Sequence, residues 1–446
     1  MKHLNRWLLS VAVLVAMTQL AAAETKAEFP LKDGDIWVMA GDSITAQHLH
    51  SNYFEAFCFA RYPNLKLAFR NSGVGGHTIP STLARFGYDV EGWKPTVVSV
   101  ELGMNDQGGT PTEKFVANMG AMLERIRLIK ARPVILSASP MNNGNTMANL
   151  GGNKRLHEYA VALKEFSAKD NIPYADQFHA LLDIWGKNKP KEMLANSLVP
   201  LKQMAQDDTV AGVEHLRAFL AAQEKSPSKA VSMQGDAVHP GPPGQLMMAA
   251  ALLKELGAEG FVSSVTLDAG GKLGEAKGCK VDGIRAEAGK IEFDRLDERL
   301  PFPIPDDARA VVSFYPTILD LSQYTLKVTG LKDGSYALKL NGMLTATLAA
   351  KELEAGVNLT AFGPTPQAKE VSPIVARGRA ILAAVAAKEG LVSQWRGLSQ
   401  KAHAAGAAPE LKEQLAALTK KVEESDEKTR EAARPRKLHF ELSVAP

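Results

Sequence analysis

Cysteine is scarce in this chain: two residues in 446, Cys58 and Cys279, far apart in sequence. That excludes a disulfide framework, and with no CxxC pair and no HExxH it leaves no zinc signature, so no metal is expected. The two thiols can form one bridge in an oxidising compartment or stay as two buried thiols, and spacing does not choose between them. Excess charge is missing as well. Lys and Arg total 52 against 49 Asp and Glu, a net +3. That is too small a field to argue for nucleic acid or an anionic membrane as partner. Long apolar runs are missing except for one, "WLLSVAVLVAMTQL" near the start. At about 14 residues it falls short of the ~20 that span a bilayer. There is no internal repeat and no long low-complexity tract. Nothing in the sequence sets an oligomeric state.

The single apolar run has a recognisable setting. Lys2, His3 and Arg6 precede it, and Ala21, Ala22 and Ala23 follow it. A basic start, an apolar centre and small residues at the end read as a secretory signal peptide over 1–23, with the mature chain exported to the periplasm or beyond the cell. A membrane anchor is the rival reading.

What is present is ordinary globular composition, 45% hydrophobic and 23% charged, in a length that suits two or three domains. Short apolar runs at 36–40, 65–70, 96–102, 134–139 and 172–176 read as strands. Amphipathic stretches near 50–61, 79–87, 111–131, 153–169 and 244–256 read as helices. Strict alternation of this kind predicts an α/β domain over 24–259, with a mostly parallel sheet covered on both faces and its chemistry at the carboxyl ends of the strands. Residues 180–232 break the rhythm and read as a helical insertion, with "EHLRAFLAAQEK" as its clearest helix. From about 260 to 365 apolar residues recur with period two (Leu326, Val328; Tyr336, Leu338, Leu340), and Asp333-Gly334 and Asn341-Gly342 are hairpin dipeptides, so a small antiparallel β module is expected. Residues 366–446 turn helical, with Leu411, Leu415, Leu418 and Val422 at helical spacing after Pro409, and close on "RKLHFELSV", which alternates like a final strand. The β module reads either as a carbohydrate-binding domain or as a brace on the α/β domain, with the brace favoured.

Four short segments carry chemistry in a fixed order: "GDSI" at 41–44, "NSGVGGHT" at 71–78, "GMND" at 103–106 and "DAVHP" at 236–240. The first three each follow a predicted strand and so share one rim of the sheet. Ester hydrolysis needs a hydroxyl nucleophile, a base near neutral pKa, an acceptor that orients the base, and N–H donors for the developing oxyanion. Ser43 supplies the first, His239 the second and Asp236, three residues earlier, the third. The backbone N–H groups of Ser43 and Gly76 and the side-chain amide of Asn105 supply the donors. The closing glycine of a G-x-S-x-G elbow is absent, and Thr78 stands where a G-x-G-x-x-G frame would need its last glycine. His77, Gln107, Asn142 and Asn143 are candidate substrate contacts. His48 and His50 point apart if helical, which disfavours a shared metal. Trp395 and Arg396 read as an aromatic sugar platform or, preferably, as helix packing.

These four blocks resemble those of the SGNH (GDSL-type) hydrolases, matched through Ser43, Gly76, Asn105, and Asp236 with His239. The resemblance covers about 34–256. It implies a flavodoxin-like three-layer α/β/α domain, a Ser-His-Asp esterase mechanism and no required cofactor. Because many exported members deacetylate polysaccharides, it also implies short acyl, chiefly acetyl, esters on carbohydrate. Two alternatives remain: a lipase-like or thioesterase member acting on longer chains, and an exported glycan-binding protein without turnover.

Overall fold

The computed structural model describes residues 28–188, 199–217, 220, 231–287, 289–364 and 371–445. The expected signal peptide and much of the 180–232 insertion lie outside the described residues. What is described of that insertion continues one helix to Lys187 and is helical again at 199–204 and 213–217.

Five strands, β1 (Ile36–Gly41), β2 (Ala68–Gly73), β3 (Val97–Glu101), β4 (Arg132–Leu136) and β5 (Tyr174–Ala175), form a parallel sheet in the order β2-β1-β3-β4-β5. Between them run α1 (Ser43–Ala46), α2 (His50–Arg61), α3 (Ile79–Asp89), α4 (Thr112–Leu128) and α5 (Lys154–Lys169). After β5 come α6 (Gln177–Lys187) and, past the insertion, α7 (Pro242–Glu255). Strand side chains alternate between two cores. Trp37, Met39, Phe69 and Leu136 pack with Phe54, Phe178 and Leu246 of α2, α6 and α7. Val38, Ala40, Val98 and Val100 pack with Phe86, Met119 and Tyr159 of α3, α4 and α5. The result is three layers, α/β/α.

Two strands are displaced from their expected positions, β4 toward the N-terminus, at Arg132–Leu136 in place of 134–139, and β2 toward the C-terminus. The apolar run at 65–70 marks it early, and pairing with β1 runs instead over Ala68–Gly73. The polar end Asn71-Ser72-Gly73 stays buried in the strand because each polar group has a partner. Asn71 Nδ2 donates to Thr45 O at 2.7 Å and to Ser51 Oγ at 2.8 Å, and Ser72 Oγ donates to Asp89 Oδ2 at 2.8 Å.

Beyond α7 the chain builds two further sheets that share one core. Strands β6 (Phe261–Asp268), β7 (Leu273–Lys277), β10 (Gln323–Thr329) and β13 (Val357–Asn358) form one, in the order β13-β10-β6-β7. Strands β8 (Cys279–Glu287), β9 (Lys290–Asp297), β11 (Ser335–Leu340), β12 (Met343–Ala349) and β14 (Leu438–Val444) form the other, in the order β12-β11-β14-β9-β8. Pairing is antiparallel except between β6 and β10. Asn341-Gly342 is the β11–β12 hairpin turn, with φ of 50° and 79°. Asp333-Gly334 is not a hairpin turn: it joins β10 to β11, which lie in different sheets. A local dipeptide cannot signal that crossing.

The C-terminal helices Pro373–Ala402 and Pro409–Ala432 form an antiparallel hairpin packed along α2, α3 and β2. Trp395 stacks on Trp93 with centroids 3.7 Å apart and donates from Nε1 to Thr419 Oγ1 at 2.8 Å, so it is a packing residue and not a sugar platform. Packed against both α7 and this hairpin, α2 has all twelve of its residues buried, and each of its charges has found partners, as burial requires. Glu55 meets Lys388 at 2.7 Å, and Arg61 donates to the carbonyls of Glu259, Phe261 and Leu321. Cys58 and Cys279 are both buried free thiols, not a bridge.

Candidate active site

Ser43 opens α1, the single helical turn that begins where β1 ends. Asp42 caps that turn by accepting from Ile44 N at 2.9 Å, which satisfies one of the orphan donors of a helix start. The serine is thereby held at the carboxyl rim of the sheet. Its Oγ lies 2.8 Å from His239 Nε2, across 196 residues of sequence.

His239 arrives on the loop before α7. Asp236 accepts three N–H groups of its own turn: Val238 N at 2.8 Å, His239 N at 2.7 Å and His239 Nδ1, which lies 3.1 Å from Oδ2. The turn closes with Asp236 N donating to His239 O at 3.1 Å. Gly235 makes that closure possible: its φ is +67°, and a Cβ there would sit 2.1 Å from His239 O. The backbone and ring donors of His239 hold the Asp236 carboxyl below the usual carboxylate range.

The second block reaches Ser43 from β2. Gly76 has φ +75°, a left-handed turn that glycine adopts without strain. The third block meets it: Asn105 Nδ2 donates to His77 O at 3.1 Å, so the asparagine amide and the glycine loop lie side by side. His77 Nδ1 accepts from Arg85 Nε at 3.1 Å. Burial, then the Arg85 charge, lowers the His77 pKa. The structure therefore brings Ser43, Asp236 and His239 into one hydrogen-bonded row and sets Gly76, His77 and Asn105 beside each other.

The remaining expected contacts are placed less directly. Gln107 Nε2 points to Met104 Sδ at 3.3 Å. Asn142 N donates to Ala237 O at 2.7 Å, tying the 140–150 loop to the turn that carries Asp236. Asn143 Oδ1 accepts from Asn145 N and from Asn153 Nδ2 within that same loop.

Several buried polar groups behind the serine escaped the sequence reading. His50 Nε2 meets Glu101 Oε2 at 2.8 Å, and its Nδ1 lies 2.9 Å from Gln245 Oε1. That oxygen also accepts His50 N at 3.0 Å, so it is the acceptor, and Gln245 Nε2 reaches Pro240 O at 3.0 Å. The loop of His239 is thus pinned to α2. Burial pulls the His50 pKa down, but the Glu101 charge and hydrogen bonds outweigh it and the net shift is upward. Asp42 is pushed up to about 7, chiefly by burial and against the Ile44 N–H, with the Glu101 charge adding to the rise. Glu101, a charge at the end of an otherwise apolar strand, was the one available signal. His48 and His50 go separate ways, His48 toward Glu389 at 3.6 Å. Among the described residues no three His, Cys, Asp or Glu side chains are grouped to hold a metal.

A serine, histidine and carboxylate in one row, beside a glycine loop and an asparagine amide, can move a hydroxyl proton and stabilise an oxyanion. Comparison with known proteins agrees with that chemistry. Residues 39–246 match the sequence profile of the GDSL-like Lipase/Acylhydrolase family. An acetylxylan esterase of Geobacillus stearothermophilus is 24% identical over 200 residues, which is 45% of this chain and 77% of that protein. An uncharacterized lipoprotein of Bacillus subtilis (strain 168), YqeF, is 24% identical over 149 residues, 28% of this chain and 61% of that protein. A solved structure titled a gut microbial diltiazem-metabolizing enzyme, BT4096, superposes with a TM-score of 0.67 at 20% identity. It covers 94% of this chain and 100% of its own, so the whole fold, including the added sheets and helices, has a counterpart.

Proposed function

We propose that this chain, whose residues 39–246 match the GDSL-like lipase/acylhydrolase family and which is an ester-hydrolysing serine hydrolase, is an exported esterase removing short acyl groups, acetyl first, from carbohydrate. The observation that carries the mechanism is the 2.8 Å contact between Ser43 Oγ and His239 Nε2, with Asp236 on the other ring nitrogen. Ser43 Oγ attacks the acyl carbonyl while His239 takes its proton. The tetrahedral oxyanion is held by Ser43 N–H, Gly76 N–H and Asn105 Nδ2. Collapse expels the sugar alkoxide, which receives the proton from His239, and leaves an acyl group on Ser43. Water then repeats the sequence in reverse roles and releases the carboxylic acid.

Support for the acetyl and carbohydrate part is the acetylxylan esterase relative. Polar side chains at the rim, His77, Gln107, Asn142 and Asn143, are the proposed substrate contacts. Support for export is the basic, apolar and Ala-Ala-Ala order of residues 1–23. In this reading 24–259 is the catalytic domain, 260–365 the β module and 366–446 the helical region with its final strand.

The test is hydrolysis of p-nitrophenyl esters of increasing acyl length, native beside Ser43→Ala, followed by acetate release from acetylated xylan. Acetyl esters should turn over fastest, and the variant should lose at least about 10³-fold in kcat. Undiminished turnover by Ser43→Ala overturns the mechanism. A maximum at medium or long chains overturns the acetyl reading and selects the lipase-like one.

A further inference from the structure

Strand β2 is the outer edge of the parallel sheet, and it runs directly into the loop that carries Gly76. An edge strand leaves a row of backbone groups without a neighbouring strand. Here the C-terminal helical hairpin, outside the matched family region, supplies that neighbour with side chains. Arg430 Nη1 donates to Leu67 O at 2.9 Å, Lys388 Nζ to Phe69 O at 2.7 Å, Arg396 Nη2 to Asn71 O at 2.7 Å and Arg396 Nη1 to Gly73 O at 2.8 Å. These are alternate residues, 67, 69, 71 and 73, each carbonyl capped by a cation. The acceptor is supplied too, since Asn71 N donates to Glu389 Oε2 at 3.3 Å.

Arg396 has a further reach. Its Nε donates to Asp89 Oδ1 at 2.9 Å, and Asp89 is bound through its other oxygen by Ser72 Oγ and Arg85. Arg85 in turn donates to Ser72 O at 2.8 Å, to Gly41 O at 3.3 Å and to His77 Nδ1 at 3.1 Å. The chain Arg396, Asp89, Arg85 thus ends on the residue after Gly76 and on the residue at the end of the serine's strand. We propose that Arg396 is a positioning residue for the oxyanion donors, and that the C-terminal hairpin is a working part of the active site. This rests on the role proposed above for Gly76. Charge-assisted bonds from a planar guanidinium fix two carbonyls at once, and donor placement to within a fraction of an ångström governs oxyanion stabilisation.

The experiment compares Arg396→Met with Arg430→Met, which removes the donor from Leu67 O, one residue before the far end of the same strand. Melting temperature, kcat and KM on p-nitrophenyl acetate are measured for both, together with the rate of Ser43 phosphonylation by an aryl methylphosphonate, whose attack by Ser43 places negative charge on the phosphonyl oxygen of a pentacoordinate phosphorus and, as aryl oxide leaves, gives a tetrahedral phosphonyl ester on the serine. Arg396→Met should lower kcat and phosphonylation in parallel, by about 10–10²-fold, with KM within about threefold. Arg430→Met should leave kcat within about twofold while losing comparable thermal stability. Arg396→Lys, which can cap one carbonyl, should fall between native and Met, and it replaces Arg396→Met if that variant does not fold. Equal kcat losses at 396 and 430, or a KM rise with kcat intact, overturn the inference. A native protein without Ser43-dependent turnover overturns the functional reading instead.

Discussion

Asp236, the proposed orienting carboxylate, stands in the open. Its side chain is 66% exposed, and its nearer contact with His239 Nδ1 is 3.1 Å. A buried carboxylate in this role is worth about 10⁴ in kcat when changed to amide. Water screens an exposed one and can replace part of its effect, so Asp236→Asn should cost only about 10–10²-fold in kcat, measured on p-nitrophenyl acetate beside native. A loss near 10⁴ would mean that substrate or a closed state buries the carboxylate. Asp42 behaves in the opposite way. It is buried, and its pKa is pushed from 3.8 to about 7. Below pH 3.8 both folded and unfolded chains hold the proton, so the contribution of this group to stability is complete. As pH rises to about 7, the unfolded chain releases the proton while the folded chain retains it, and stability falls; above that it is flat. Asp42→Asn keeps the oxygen that accepts Ile44 N but lacks this decline. Its advantage over native should therefore grow between pH 4 and 7, by at most roughly 4 kcal/mol, read as diverging urea midpoints. Parallel curves would show that Asp42 is ionised in the fold.

Among the elements, α3, α4 and α5 lie close to where periodicity puts them, because each turns an apolar stripe to the sheet and that stripe is written in the residues; α2 and α7 also lie where expected, although α2 is buried on every side and α7 on nearly every side. The errors fall where partners are remote. Strand β2 looks finished at Arg70, since Asn71-Ser72-Gly73 reads as a polar turn; only α1, α2, Asp89 and the C-terminal hairpin make those groups satisfiable inside a strand. Strand β5 shrinks to Tyr174–Ala175 because only two positions of β4, Ile135 and Leu136, pair with it. In α2, the charges Glu55 and Arg61 suggest a solvent face that does not exist, because Lys388 and the carbonyls of 259, 261 and 321 arrive from the rest of the chain.

At the scale of the whole molecule, stretches remote in sequence close its sheets. Strand β14, the last described strand, sits in the middle of its sheet between β11 and β9, with Phe440 stacked on Phe293 at 4.8 Å. The hairpin before it lies against α2 and β2, so the last eighty residues close both the β module and the sheet that carries the site. Such pairing is remote in sequence and must wait for the complete chain. A chain ending at Lys437 should lose its cooperative melt and most of its soluble yield, because β9 and β11 would then present two long unpaired edges. Retained cooperative unfolding near the native midpoint would show that β14 is dispensable.

The order of Ser43, Gly76, Asn105, Asp236 and His239, and their attachment to strand ends and a pre-helical loop, are properties of the sequence alone. Apolar alternation, glycine at forced turns and the chemistry of side chains act over a few residues, and all of them can be read in a line. The tertiary structure alone decided that His50, Glu101 and Gln245 pin the histidine loop, that Asp42 is buried, and that Arg396 caps the edge of β2 from more than three hundred residues away. Those are partnerships of charge and backbone across distance. No local pattern encodes them, because a lysine or arginine on a helix reads as solvated until the fold removes the water.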